Sequence, residues 1–196
     1  RCFGLREDPW QCRLEARVAQ LLGKEDALVF PTCTMANTTA LILGASPGSR
    51  VVTQADAHVL ISEAGAGAAL GGLVLESVGA SGALPPPSAW KQALARTGDA
   101  QRPPVHLVVL ENTHNRSGGA PLPLDYVRSV VDLAHAAGVH LHLDGSRIFD
   151  AAHALATPAA TLAAGFDTVS VSLNKGFGAP IAAMNKVDSA GNSASR

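Results

Sequence analysis

Lysine is scarce in this chain of 196 residues: only Lys24, Lys91, Lys175 and Lys186. Lys175 stands in SVSLNKGFGAP, after the alternating apolar Val169, Val171 and Leu173 and before Gly176 and Gly178. Most lysines only carry solvated charge. An amine at the mouth of a buried strand, beside a flexible turn, is also placed to attack a carbonyl carbon. A second group lies upstream in HLHLDGSR. Residues two apart share a strand face, which lines up His140, His142 and Asp144. Two imidazoles and a carboxylate are a common metal ligand set, whereas packing inside a sheet is the plainer reading of His140. Asp144 ends a buried strand before Gly145, and a carboxylate there needs a partner. Arg147 can supply charge.

Three further stretches fall where a strand gives way to a loop or helix. In PTCTMAN, Thr32, Cys33 and Thr34 open a helix, so their hydroxyls and first-turn N–H groups can cradle an anion or simply cap the helix. In ADAHVLISEAG, His58 follows one strand and precedes a helix; a lone histidine there is more often structural. Gly65 and Gly67 come too late in that helix to form a dinucleotide loop. In LENTHNRSGGAPLP, a strand delivers Glu111, Asn112, Thr113, His114, Asn115 and Arg116 into a glycine-containing loop, a density of polar groups typical of sites.

Taken together, an anion cradle, an acid at one strand end and a lysine at another are the parts pyridoxal phosphate needs. Its phosphate needs donors, its pyridine nitrogen needs a carboxylate to stay protonated, and its aldehyde needs an amine.

The elements that must position these groups alternate. Helical spacing or caps mark 9–22, 35–43, 61–70, 89–95, 124–137 and 147–164. Apolar strand patterns mark 28–30, 50–53, 73–78, 105–110, 139–143 and 168–173. This alternation predicts an α/β domain with a mostly parallel sheet and flanking helices, with ligands gathered at the carboxyl ends of the strands. Residues 1–184 read as part of a cofactor-binding domain, and 185–196, small and polar, as a disordered tail. Hydrophobic residues at 47% and charged residues at 16% suit a soluble globular domain. A net charge of −1 with no basic run argues against nucleic acid and anionic membrane as partners. No apolar run is long enough to span a bilayer. Cys2, Cys12 and Cys33 form no metal or redox pattern and point to a reducing, cytoplasmic setting.

The blocks DALVFPTCTMAN, DAHVLISEAG, LENTHNRSGGAPLPL, LHLDGSRIFDAA and SVSLNKGFGAP resemble, in order and spacing, those of the low-specificity L-threonine aldolase family. The resemblance runs from about Asp8 to Met184. It implies the large domain of aspartate-aminotransferase-type enzymes and a pyridoxal 5'-phosphate lyase that splits L-threonine or allo-threonine into glycine and acetaldehyde. It also implies a homodimer or homotetramer. By motif, Lys175 would form the Schiff base, Asp144 would hold the pyridine nitrogen and Arg147 would lie near the phenolic oxygen. His58 would stack on the ring, Thr32, Cys33 and Thr34 would bind the phosphate, and His114 would face the substrate hydroxyl. His58 or His114 would serve as base, and no metal is implied. Three departures stand out. Cys33 replaces the usual glycine, the GLREDP segment is lengthened and follows Phe3 where the family has tyrosine, and the family's small C-terminal domain, with the arginine that grips the substrate carboxylate, is absent. The expectation is therefore a weak aldolase, with a catalytically inactive truncated remnant as the alternative.

Overall fold

Asp8 opens the first helix by accepting hydrogen bonds from the N–H groups of Trp10 and Gln11 (2.8 and 3.2 Å), and Gly23, at φ +62°, closes it. This helix, α1 (Pro9–Leu22), turns its buried face, with Val18 and Leu22, toward the first strand, β1 (Asp26–Phe30). The computed structural model describes residues 6–95 and 101–187. Phe3 and residues 96–100 lie outside them.

The chain continues as α2 (Cys33–Gly44), β2 (Arg50–Gln54), α3 (His58–Ile61), α4 (Ala66–Gly71), β3 (Val74–Val78), α5 (Pro87–Leu94) and β4 (Val105–Glu111). Then follow a 3₁₀ turn at Asn115–Ser117, α6 (Leu124–Ala137), β5 (His140–Asp144), α7 (Ile148–Ala154), α8 (Ala159–Leu162), β6 (Thr168–Ser172) and β7 (Ala183–Val187). One sheet carries seven strands in the order β1-β7-β6-β5-β4-β2-β3. Strands β3, β2, β4, β5 and β6 pair in parallel, and β7 lies antiparallel to both β6 and β1. Two antiparallel steps return β1 to the common direction. The ends of β1, β2, β4, β5 and β6 therefore open on one edge of the sheet, where α2 and α3 begin.

Alternation along the strands separates two faces. Val108, Leu110, Leu141, Leu143, Val169 and Val171 pack with Leu22, Trp90, Val130, Leu162 and Phe166 in the larger core. Leu107 and Val109 pack instead with Leu41, Ala45, Val51 and Leu73. On this second face the registers Glu111↔Asp144, Asp144↔Ser170 and Ser170↔Asn185 line up four buried polar residues across adjacent strands. No helix among the described residues is long and apolar enough to cross a membrane.

The expected α/β architecture is present, with three corrections. The helix read over 61–70 is two short helices, because Ala64 and Gly65 take φ +52° and +70° and break it. The helix read over 147–164 is broken by Ala156 at φ +47° and Pro158 at the cap of α8. The tail read from Asn185 is, through Val187, part of β7: Asn185 is buried, and its Nδ2 donates to the Ala36 carbonyl of α2 at 2.9 Å. Residues 188–196 lie outside the described part.

Candidate active site

Asp144, at the end of β5, is 1% exposed. Its Oδ1 accepts from the Ser146 N–H at 3.2 Å and its Oδ2 from Asn37 Nδ2 at 3.0 Å. Between them Gly145 turns the chain. A Cβ at 145 would lie 2.9 Å from the Ser170 carbonyl and 3.2 Å from Ile148, too close for any side chain. Arg147 caps α7 and is half-buried.

Thr32 caps α2 by accepting from the Met35 N–H at 3.1 Å, which leaves its own O–H to donate. The first-turn N–H groups that follow have no partner inside the helix. Cys33 Sγ lies 3.0 Å from Ser146 Oγ. Burial, followed by the charge of Asp144, pushes the thiol up to about 12, while the positive charge of Lys175 pulls the other way. Cys33 thus lies within electrostatic reach of Asp144 on β5 and of Lys175 in the turn after β6. That turn is shaped by the Gly178 N–H donating to the Lys175 carbonyl (3.0 Å) and Ala179 N–H to Leu173 (2.9 Å). Phe177 packs edge-on against Phe149 of α7 at 5.0 Å, and a Cβ at 176 would sit 3.1 Å from the Asp150 carboxylate. The lysine turn is therefore fastened to the helix that Arg147 starts.

His58 opens α3. Its N–H donates to Glu111 Oε2 at 2.6 Å, and its Nδ1 is 2.9 Å from Glu63 Oε1. The hydrogen bond to Glu63 raises its pKa most, with Asp144 and Glu111 adding to the effect against burial. Burial in turn raises Glu111, whose other oxygen accepts from the Asn115 N–H at 2.9 Å.

The chain spans about half the length of the curated relatives it matches. It is 37% identical over 180 residues to the probable low-specificity L-threonine aldolase 2 of Arabidopsis thaliana, covering 90% of this chain and 51% of that protein. It is 34% identical over 184 residues to the alanine racemase TOXG of Cochliobolus carbonum, covering 91% and 46%. The crystal structure of a Listeria monocytogenes protein assigned as an L-allo-threonine aldolase superposes with a TM-score of 0.82 at 27% identity, covering 94% of this chain and 50% of that one. Residues 4–188 match the family model of the beta-eliminating lyases. The chain belongs to the beta-eliminating lyase family.

In this beta-eliminating lyase the structure gathers Thr32, Cys33 and Thr34, Asp144, Arg147, Lys175 and His58 at one edge of the sheet. His114 is also at the end of β4, but its contacts are those of its own loop. Its backbone pairs with Ala120, its Nδ1 is 2.8 Å from Ser117 Oγ, and Asp56 is the acid whose charge reaches it. Burial lowers its pKa, and its Nε2 is buried without a protein partner. The alternative ligand set His140, His142 and Asp144 does not converge. His140 Nδ1 lies 3.5 Å from Asp167, and His142 is engaged by Thr168 and Asn37. Among the described residues, the side chains close enough to share an ion are His58, Glu63 and Asp144.

Sequence reasoning did not single out Asn37 or Glu63. Both lie inside stretches it quoted, and the five-residue step from His58 to Glu63 across a helix break carries no periodic signal. Asn37 reads as an ordinary polar residue in a helix of alanines and threonines until the sheet is laid beneath it.

Proposed function

We propose that this chain is the cofactor-binding part of a pyridoxal-phosphate lyase that cleaves L-threonine or allo-threonine to glycine and acetaldehyde. The observation that carries the reading is that the start of α2, Asp144 at the end of β5 and Lys175 in the turn after β6 open on one edge of the sheet, where Cys33 meets Ser146. The donor set fits the cofactor: a helix N-terminus with a free hydroxyl for a phosphate, a buried carboxylate for a ring nitrogen, and a lysine amine for an aldehyde. Bound there, pyridoxal phosphate supplies an aldehyde that condenses with amines and a ring that accepts the electron pair released when a bond at Cα breaks.

The chain's own residues do the rest. Thr32, Cys33 and Thr34 present N–H and O–H donors, and the neutral thiol adds no charge to repel a phosphate. Asp144, held by Asn37 and Ser146, would keep a proton on the ring nitrogen. Lys175 would offer its amine, and Arg147 a cation for the cofactor's phenolic oxygen. His58 would stack on the ring. His58, or His114 through its unpartnered Nε2, takes the proton of the substrate's β-hydroxyl. No metal is assigned a part. The same reading makes the chain a homo-oligomer in the cytoplasm, and the exposed Met35, Leu43 and Leu70 on α2 and α4 are apolar surface that a second copy would cover.

The test is the purified chain with pyridoxal phosphate and L-threonine or L-allo-threonine, with acetaldehyde read by an alcohol dehydrogenase. Acetaldehyde release that disappears in Lys175→Ala is expected. Visible absorbance from bound cofactor without acetaldehyde, but with racemisation of L-alanine, would overturn the aldolase assignment. The inactive-remnant alternative predicts neither product.

A further inference from the structure

Asn37 is wholly buried in the second turn of α2, and all four of its side-chain hydrogen bonds are made. Nδ2 donates to Glu63 Oε1 at 2.7 Å and to Asp144 Oδ2 at 3.0 Å. Oδ1 accepts from Ser170 Oγ at 2.5 Å and lies 3.1 Å from His142 Nε2. The reverse amide orientation would set its oxygen against two carboxylates, so the chemistry of the neighbours decides it. The same accounting fixes the imidazole below. With Asn37 Oδ1 as acceptor, His142 carries its proton on Nε2, and its Nδ1 accepts from Thr168 Oγ1 at 2.7 Å. Burial holds His142 down to about 4, so it remains neutral and adds no positive charge near Asp144.

Glu63 and Asp144 are 4% and 1% exposed and stand close enough to share an ion. Two buried carboxylates this close do not both stay ionised without donors and positive charge nearby. The donors shared by the pair are the two N–H bonds of Asn37, one to each acid, and the Ser146 N–H serves the other oxygen of Asp144. His58 meets Glu63 directly, and the positive charge of Lys175 reaches the same corner of the site. Around His58 the charged groups are Glu63 in the turn after α3, Glu111 on β4 and Asp144 on β5.

We propose that Asn37 is a positioning residue: its amide bridges Glu63 and Asp144 and holds both carboxylates where they face the His58 imidazole. The consequence for the cofactor rests on the proposed function. The carboxylate meant for the ring nitrogen would then be tied through Asn37 and Glu63 to a histidine on another element, with α2 supplying both the anion cradle and the bridge.

The experiment uses the whole chain without cofactor, labelled with ¹⁵N in histidine and ¹³C in the aspartate and glutamate carboxyls. In the parent, the Asp144 carboxyl signal should inflect at the pH where His58 titrates; the absence of that inflection would overturn the bridge. Asn37→Leu and Asn37→Ala remove the shared donors. Without the amide the two carboxylates are no longer held against His58, and its pKa should fall by about one unit, tenfold in proton affinity. Glu63→Gln should lower it at least as far. The signals of His106 and His135 serve as controls that the fold is kept. With those controls unmoved, an unchanged His58 pKa in both Asn37 variants would sink the proposal. Adding pyridoxal phosphate separates the two claims. A parent that shows the inflection but no visible absorbance from bound cofactor refutes the proposed function and leaves the bridge standing. Absorbance without the inflection does the reverse.

Discussion

Cys33 shows how one atom reports a whole site. Its thiol is raised to about 12 by burial and by Asp144, which keeps it protonated at any ordinary pH. The thiolate is the reactive form. We therefore expect Cys33 to resist alkylation at mildly alkaline pH and to react once the chain is unfolded, as peptide mapping after iodoacetamide would show. Fast labelling of Cys33 in the folded chain would mean that the Ser146 contact and the burial are not kept in solution. Lys175 gives the complementary expectation: borohydride reduction with pyridoxal phosphate should mark Lys175 and leave Lys24, Lys91 and Lys186 unmodified. Of these residues, Lys175, Asp144 and the Thr32–Cys33–Thr34 stretch were legible in the sequence because each sits at a strand or helix end, where composition and pattern change abruptly. Asn37 and Glu63 were not. Their meaning lies in contacts between α2, the turn after α3 and β5, and no local pattern encodes a contact of that range.

At the scale of elements, the turn between β5 and α7 positions both Asp144 and Arg147, and Gly145 is its tightest point. Gly145→Ala would force the Ser170 carbonyl or Ile148 to move. A loss of about 1–3 kcal/mol is expected from overpacking of this kind, read as a lower urea midpoint at unchanged slope. Strand β7 is the element the sequence hid. Its residues include Asn185 and Lys186, and polarity argued for a tail. Asn185 is polar because it hydrogen-bonds a carbonyl of α2 from inside the sheet, alongside Ser170. Asn185→Ala should cost about 1 kcal/mol. Of the parallel strands, β4 was readable because it is almost continuously apolar, and β5 and β6 because apolar and polar residues alternate at the period of a strand. The two broken helices were misread because their apolar positions continue across the breaks, and only the positive φ at Ala64 and Ala156 shows where each stops.

For the whole molecule, two histidines set opposite limbs of a stability profile. His58 has a raised pKa in the folded chain, so its contribution is complete below about pH 6.5 and is lost as pH climbs through the folded value. His142 is lowered to about 4, so the unfolded chain binds the extra proton and stability falls as pH drops from 6.5 toward that value. Glu111, raised by burial, opposes the acid limb, since the folded form takes up its proton more readily. Denaturant midpoints measured from about pH 4 to about pH 9 should peak near 6.5. Glu63→Gln should flatten the alkaline limb, and His142→Gln the acid limb. A profile that keeps both limbs in both variants would assign them to other groups.

The placing of β7 also dictates an order of assembly. A ribosome releases β1 early, yet the register Asp26↔Val187 gives β1 its only sheet neighbour at the far end of the described chain. Through most of synthesis β1 can lean only on α1, and the nascent sheet ends at β6 with an unpaired rim. Rims of that kind recruit other chains, and closing so long a loop is slow. Nascent chains stalled before Ala183 should therefore be protease-sensitive across β1 and prone to associate. Those stalled well past Val187, with that strand clear of the exit tunnel, should be protected, which makes the insertion of this one strand the step that commits the domain.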